Sequence, residues 1–173
     1  GAPEITGSAP LPVQQLPTKA RALIFYLAMT GRTHTREALA HLLWSEHGEE
    51  EARRNLRKVI QALREQLNPY LAIDHHTVAF RSPAAFWVDA AEFAAAVPGQ
   101  VQNAQAADLD WLQASLALYR ADFLEGFYVR DAPLFESWML AERARLRNLM
   151  LGRLAVVGDR YAAAGDLPHA IGA

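Results

Sequence analysis

The sequence predicts a mainly α-helical chain: a winged helix-turn-helix unit of three helices plus a β-hairpin, followed by an all-α helical half. Three observations predict it. Apolar residues recur at i, i+3, i+4 and i+7 through successive segments between Thr18 and Leu67. Two alternating segments on either side of a polar turn follow, between Tyr70 and Phe80. Charge then divides the chain, since residues 1–82 hold 10 Lys/Arg against 8 Asp/Glu and residues 83–173 hold 7 against 11. A split of that kind suggests two modules with different partners.

Composition bounds what the chain does. At 51% hydrophobic and 21% charged residues it is globular in composition, unlike a disordered chain. It has no cysteine, which excludes a disulfide framework and thiolate metal sites and agrees with a reducing compartment. The longest apolar run, Ala22 to Met29, is eight residues, far short of the roughly 20 that cross a bilayer. Lys19 and Arg21 precede it, but no cleavage site follows, so it is not a signal peptide. The expectation is a soluble, cytoplasmic protein with no membrane partner. A net charge of −2 argues against a generally basic nucleic-acid binder, although it hides the asymmetry between the halves.

The first 17 residues are rich in Pro and Gly and lack a helical period, which fits a strand or two, or a linker. Ala20, Leu23, Ile24, Leu27 and Ala28 then form one stripe, with Thr18 as N-cap and Gly31 as the stop. A second helix is capped by Thr35 and turns Ala38, Leu39, Leu42 and Leu43 inward. The third, "GEEEARRNLRKVIQALREQL", spans Gly48 to Leu67. At about 100° per residue, its Ala52, Leu56, Val59, Ile60, Leu63 and Leu67 fall within roughly 80° of one direction. Arg54, Arg57, Lys58, Gln61, Arg64 and Glu65 lie opposite, with Arg53 and Asn55 at the borders. Glu49, Glu50 and Glu51 complement the dipole at the helix N-terminus, and no acid falls between Ala52 and Arg64 to neutralise the basic face locally. The hairpin pairs Tyr70–Ile73 with Val78–Phe80 across a turn at Asp74–Thr77.

Ser82–Pro83 ends this module, giving domains at 1–82 and 83–173. Asp89 and Glu92 form a capping box with Val88 and Phe93 as hydrophobic staple, so a helix starts at Ala90. Val97 to Asp108 reads as a loop and Leu109–Tyr119 as a helix. A long helix follows from near Ala132 almost to the end, with Leu134, Trp138, Ala141, Leu149, Val157 and Tyr161 inward. "YAAAGDLPHA" has the form of the turn inside a tetratricopeptide-type helical hairpin whose second helix is cut off.

A basic helix face is by default a solvated one. Three features favour DNA here. Arg, Asn and Gln are the residue types that contact guanine and adenine in bidentate fashion. The helix stands where the recognition helix of a helix-turn-helix stands, and a hairpin follows it directly. A helix about 10–12 Å across fits the major groove, and the hairpin beside it can touch backbone or minor groove.

Other candidates are weaker. His75–His76, with His34, His41 and His47, invite a metal, but adjacent histidines in a strand point to opposite faces. A polar turn explains the pair, and no metal or cofactor is expected. Trp44, Trp87, Trp111 and Trp138 are all flanked by apolar residues and should pack inside. Asp122, Glu125, Asp131 and Glu136 suggest acid/base pairs, yet helix caps and solvated faces account for them. Without a phosphate-cradling Gly loop or a nucleophile elbow, an enzyme is not expected.

The segments "PTKARALIFYLAMTGRTHTREALAHLLW", "EEEARRNLRKVIQALREQL" and "YLAIDHHTVAF" resemble the OmpR-like winged-helix domain of the actinomycete antibiotic regulatory protein (SARP) family. "FWVDAAEFAAAV", "ALYRADFLEGF", "DAPLFESWMLAERARLRNLM" and "DRYAAAGDLPHA" resemble the tetratricopeptide-like bacterial transcriptional activator domain that follows it there. The resemblance implies a transcription regulator, an activator by its family, that binds promoter DNA through the third helix, often as tandem copies on direct repeats. It implies self-association on DNA through the helical domain, and RNA polymerase contact through the loop "WSEHGEE". The DNA-contacting positions it carries over are Arg53, Arg54, Asn55, Arg57, Lys58, Gln61 and Arg64, with His75, His76, Thr77 and Arg81 in the wing. Lys58 and Arg64 are expected at phosphates, and Arg54, Asn55, Arg57 and Gln61 nearest base edges. The chain departs from the family in two ways: the strand platform ahead of the first helix is expected to be partial, and the wing tip carries histidines where Arg or Lys is usual. An alternative is a protein-interaction module whose winged helix does not read DNA.

Overall fold

A computed structural model describes residues 1–5, 15–81, 87–95, 106–163 and 165. The Pro/Gly-rich stretch from residue 6 to 14, the expected boundary at 82/83, most of the loop from Val97 and the second arm of the terminal hairpin lie outside them. Among the described residues the chain is mainly helical, with one small antiparallel sheet. The elements run α1 (Thr18–Thr30), β1 (His34–Thr35), α2 (Arg36–Trp44), α3 (Glu49–Leu67), a 3-10 turn (Asn68–Tyr70), β2 (Leu71–Ile73) and β3 (Thr77–Phe80). Then follow α4 (Asp89–Ala95), α5 (Ala106–Leu116) and α6 (Pro133–Ala163). No described helix is long and apolar enough to cross a membrane. Residues group into two compact units, one of Pro3–Val88 with Gly126–Leu140, the other of Gly1–Ala2, Asp89–Glu125 and Ala141–Ala173.

In the first unit α1 starts after Pro17, whose carbonyl accepts from the Ala20 and Arg21 amides. Thr18 is therefore the first helical residue and not the cap, and no side chain caps this end. Gly31 closes the helix at φ 60°, its N–H donating to Leu27 O at 3.0 Å; the left-handed conformation is open to glycine without strain. The buried set is Ala20, Ala22, Leu23, Ile24 and Leu27, with Ala28 only half-buried. Ala22 joins because α1 is covered on a second side. Phe25 meets Phe127 edge-on at 5.2 Å and Tyr26 meets Trp138 at 4.8 Å. Phe127 and Trp138 both flank Phe135, which is fully buried.

Thr35 caps α2 as expected, its hydroxyl accepting from the Ala38 amide at 3.2 Å. The inner face holds Leu39 and Leu43 but turns toward Ala40 and Trp44, leaving Ala38 exposed and Leu42 half-buried. Lys19 explains the turn. Its Nζ donates to Leu43 O at 2.7 Å and lies 4.9 Å from the centre of the Trp44 ring, holding α1 against the end of α2. Just before α2, His34 and Thr35 form a strand the sequence did not reveal, pairing with Val78 and Thr77 so that the sheet order is β1-β3-β2. Two residues are too few for alternation to show.

In the second unit Asp89 opens α4, its carboxylate accepting from the Ala90 amide at 2.7 Å, and Phe93 is buried. Helix α5 starts earlier than the sequence suggested: Ala106, Ala107 and Asp108 are helical, and it ends at Leu116. Along α6 the buried residues are Phe135 and Met139 in the first unit, and Leu146, Arg153 and Val157 in the second. Leu134 and Ala141, expected inward, are exposed. Leu140 and Leu151 are exposed too, so this helix is apolar on more than one side and its pattern does not fix which side is covered. An arginine shares the buried face. Arg153 donates to Phe93 O at 2.7 Å and to Ser115 Oγ at 3.2 Å, with its guanidinium 4.2 Å from the Phe93 ring centre.

Candidate nucleic-acid interface

The apolar side of α3 anchors it: Ala52, Leu56, Val59, Ile60, Leu63 and Leu67 are all buried, as their spacing predicts. The opposite side is thereby turned to solvent. Arg53, Arg54, Arg57, Lys58, Gln61 and Arg64 are exposed and Asn55 is half-buried. Gly48 precedes the first turn, which carries Glu49, Glu50 and Glu51. These acids do more than face the helix dipole. Glu49 pairs with Arg53 one turn on, and Glu51 approaches Arg54 at 4.0 Å. A third acid comes from α2, where Glu37 lies 3.0 Å from the same Arg53 nitrogen. The expectation that nothing neutralises this end of the basic face is therefore corrected. Helical spacing of three and four residues brings the glutamates back over it, and packing of α2 adds Glu37.

Further along the face the cations are less engaged. Arg57 Nε makes a long bond, 3.4 Å, to Arg53 O. Gln61 donates to Glu65 at 3.0 Å. Lys58 has neither hydrogen bond nor ion pair among the described residues.

The hairpin stands beside the end of α3. Asp74 N donates to Thr77 O and Arg81 N to Tyr70 O, so Leu71 and Ile73 direct their carbonyls to the free edge of β2. Two arginines close that edge. Arg81 Nε donates to Leu71 O at 2.9 Å and Arg64 Nη2 reaches Ile73 O at 3.5 Å. At the turn the Asp74 carboxylate accepts from the amides of His76 and Thr77 and from the Thr77 hydroxyl, each at 2.7 Å. These bonds hold its pKa down at about 2. His75 and His76 are exposed at the tip. Tyr70 falls in the 3-10 turn and Thr77 in β3, one residue each from the expected strand limits.

Arg36 is the residue that sequence reasoning missed. Its backbone N–H donates to His76 O at 2.8 Å and its Nη2 donates to Asp74 O. The hairpin turn, which has no Arg or Lys of its own, is thus held by a guanidinium from the start of α2. Its partner lies 38 residues away, so no local pattern could signal it.

The weaker candidates resolve individually. His34 shares a hydrogen bond of 2.8 Å with the Thr30 hydroxyl, and its ring lies tilted against that of Tyr26, centres 4.8 Å apart. Burial, aided by Arg32, holds its pKa below the ordinary value. Among the described residues no three His, Asp or Glu side chains gather as a metal site would require. Asp122 accepts from the Tyr119 hydroxyl at 2.9 Å and pairs with Arg147, while Glu136 accepts from the Val129 amide at 2.7 Å. Trp44 is buried as expected, but Trp87 and Trp111 leave 64% and 41% of their surface exposed. Trp111 has the Arg153 guanidinium 6.0 Å from its ring centre.

Comparison with protein-family models gives no match, and comparison with curated proteins gives none either.

Proposed function

We propose that the protein is a sequence-specific DNA-binding transcription regulator, an activator, with a winged helix-turn-helix in its N-terminal part and a tetratricopeptide-like helical domain after it. The observation that carries this is the polar side of α3: Arg54, Arg57, Lys58, Gln61 and Arg64 stand exposed opposite six buried apolar residues, beside a hairpin. Arg54, Asn55, Arg57 and Gln61 have the donors and acceptors that read base edges in the major groove. Lys58 and Arg64 supply phosphate contacts that fix the helix in place. Arg81, Thr77 and the histidines of the turn lie where a wing meets the backbone. The segment from Trp44 to Glu50, which links α2 to α3, is the surface for RNA polymerase, and copies of the protein associate on repeated sites. The protein works in the cytoplasm and catalyses no reaction.

The test is binding to promoter DNA over a range of salt. With about four phosphates engaged, log K falls against log salt with a slope of roughly −3.6. Replacing Arg54 and Arg57 by alanine costs about 1–3 kcal/mol for each bidentate base contact and relaxes specificity at those positions. Undiminished binding by a folded R54A/R57A variant would refute the assignment. A second reading, an interaction module that does not bind DNA, is favoured by the glutamates at the start of α3 and by the histidine-bearing turn. It predicts no affinity for duplex DNA at any salt.

A further inference from the structure

The basic face of α3 is not uniform along its length. At its start, Glu37, Glu49, Glu50 and Glu51 are exposed around Arg53 and Arg54. Arg53 is shared between two carboxylates from different elements, Glu37 of α2 and Glu49 of α3. Those same carboxylates wall an open cavity of about 290 Å³ between the two helices, floored by Ala40, Trp44 and Ala52. A phosphate approaching Arg53 therefore meets two negative groups at close range and has to displace both. Beyond this point the face carries Arg57, Lys58 and Arg64, with Glu65 as its acid, and among the described residues no ion pair joins these cations to it.

We propose that Arg53 is a positioning residue, held between Glu37 and Glu49, that ties α2 to the first turn of α3 and is withheld from nucleic acid. The two carboxylates act as an electrostatic stop, so the contact surface on α3 begins beyond Arg53 and extends toward the sheet edge closed by Arg64 and Arg81. The inference rests on the DNA reading of α3. It narrows that reading to a defined stretch of the helix, because every phosphate that a cation neutralises steepens the salt slope by about 0.9.

The experiment measures binding of the intact protein to a short duplex of arbitrary sequence as a function of salt, with a thermal melt of every variant. K58Q is expected to flatten the slope by about 0.9 and R53Q to leave it unchanged while lowering the melting temperature. E37Q/E49Q frees Arg53 and is expected to bind more tightly, with a slope steeper by about 0.9. The inference is overturned if R53Q flattens the slope as much as K58Q does, or if E37Q/E49Q leaves it unchanged. Failure of the DNA reading looks different: the unaltered protein then fails to bind duplex at all, and this inference falls with it. Where R53Q does not fold, E37Q/E49Q, which keeps Arg53 and removes the carboxylates that hold it, decides by its slope alone.

Discussion

Asp74 shows how one side chain sets the shape of the hairpin turn. It sits in the open, yet its carboxylate collects three hydrogen bonds from His76 and Thr77, the largest effect coming from the Thr77 hydroxyl. Its pKa is about 2 in place of the ordinary 3.8. Because the folded value is the lower one, the unfolded chain binds more protons between the two values. The contribution of this turn is therefore complete above about pH 4 and lost as pH falls through about 2. We expect the Thr77 amide resonance to titrate with a midpoint near 2; a midpoint near 4 would mean that the turn is not formed as described. Partners of this kind set the limit on what sequence reveals at this scale. Asp74, three residues before Thr77, is a local turn signal, whereas Arg36 finds the same turn from 38 residues away. Likewise Glu49 could be paired with Arg53 by helical spacing, but Glu37 could not.

Elements differ in how much of themselves they write into the sequence. In α3 the six large or buried apolar residues lie on one side and the charges on the other, so its buried face follows from spacing alone. Helix α6 has leucines on several sides and an arginine inside, and only tertiary contacts choose its covered side. A two-residue strand such as β1 carries no period at all. Arg153 illustrates what the unread contacts do. It is 5% exposed and joins α6 to the end of α4 through Phe93 O and to α5 through Ser115. Burial lowers its pKa below the ordinary arginine value. Replacing it with alanine leaves a buried carbonyl without this donor and a cavity against Phe93. We expect R153A to lose about 2–4 kcal/mol in urea unfolding, from the charged hydrogen bonds and the vacated volume together. A loss below about 0.5 kcal/mol, the range of ordinary surface changes, would show that the three helices are held by their apolar contacts instead.

At the scale of the molecule, the unit that carries α3 and the hairpin is assembled from two separate stretches of chain, Pro3–Val88 and Gly126–Leu140. The later stretch supplies Phe127 and Phe135, 6% and 0% exposed, together with Trp138 against Tyr26. It also supplies the Asp131 carbonyl that accepts from Lys19 at 2.9 Å. Composition suggested that charge changes sign at about residue 82, but charge reports on surface and not on which segments share a core. The eight-residue run from Ala22 to Met29 held a hint, being apolar on too many sides for a helix covered from one side only. A fragment ending at residue 88 keeps every residue proposed to touch DNA and loses this cover. Each buried phenylalanine removed takes about 3–5 kcal/mol with it, against a total stability of about 5–15 kcal/mol for a typical domain. We therefore expect the fragment to keep helical far-ultraviolet dichroism, lose a cooperative thermal transition and bind hydrophobic dye. Extending it to residue 140 should restore the transition, since the cover returns. If the fragment ending at 88 melts cooperatively at the temperature of the intact protein, the Gly126–Leu140 stretch is not part of what holds α1 and α3 in place.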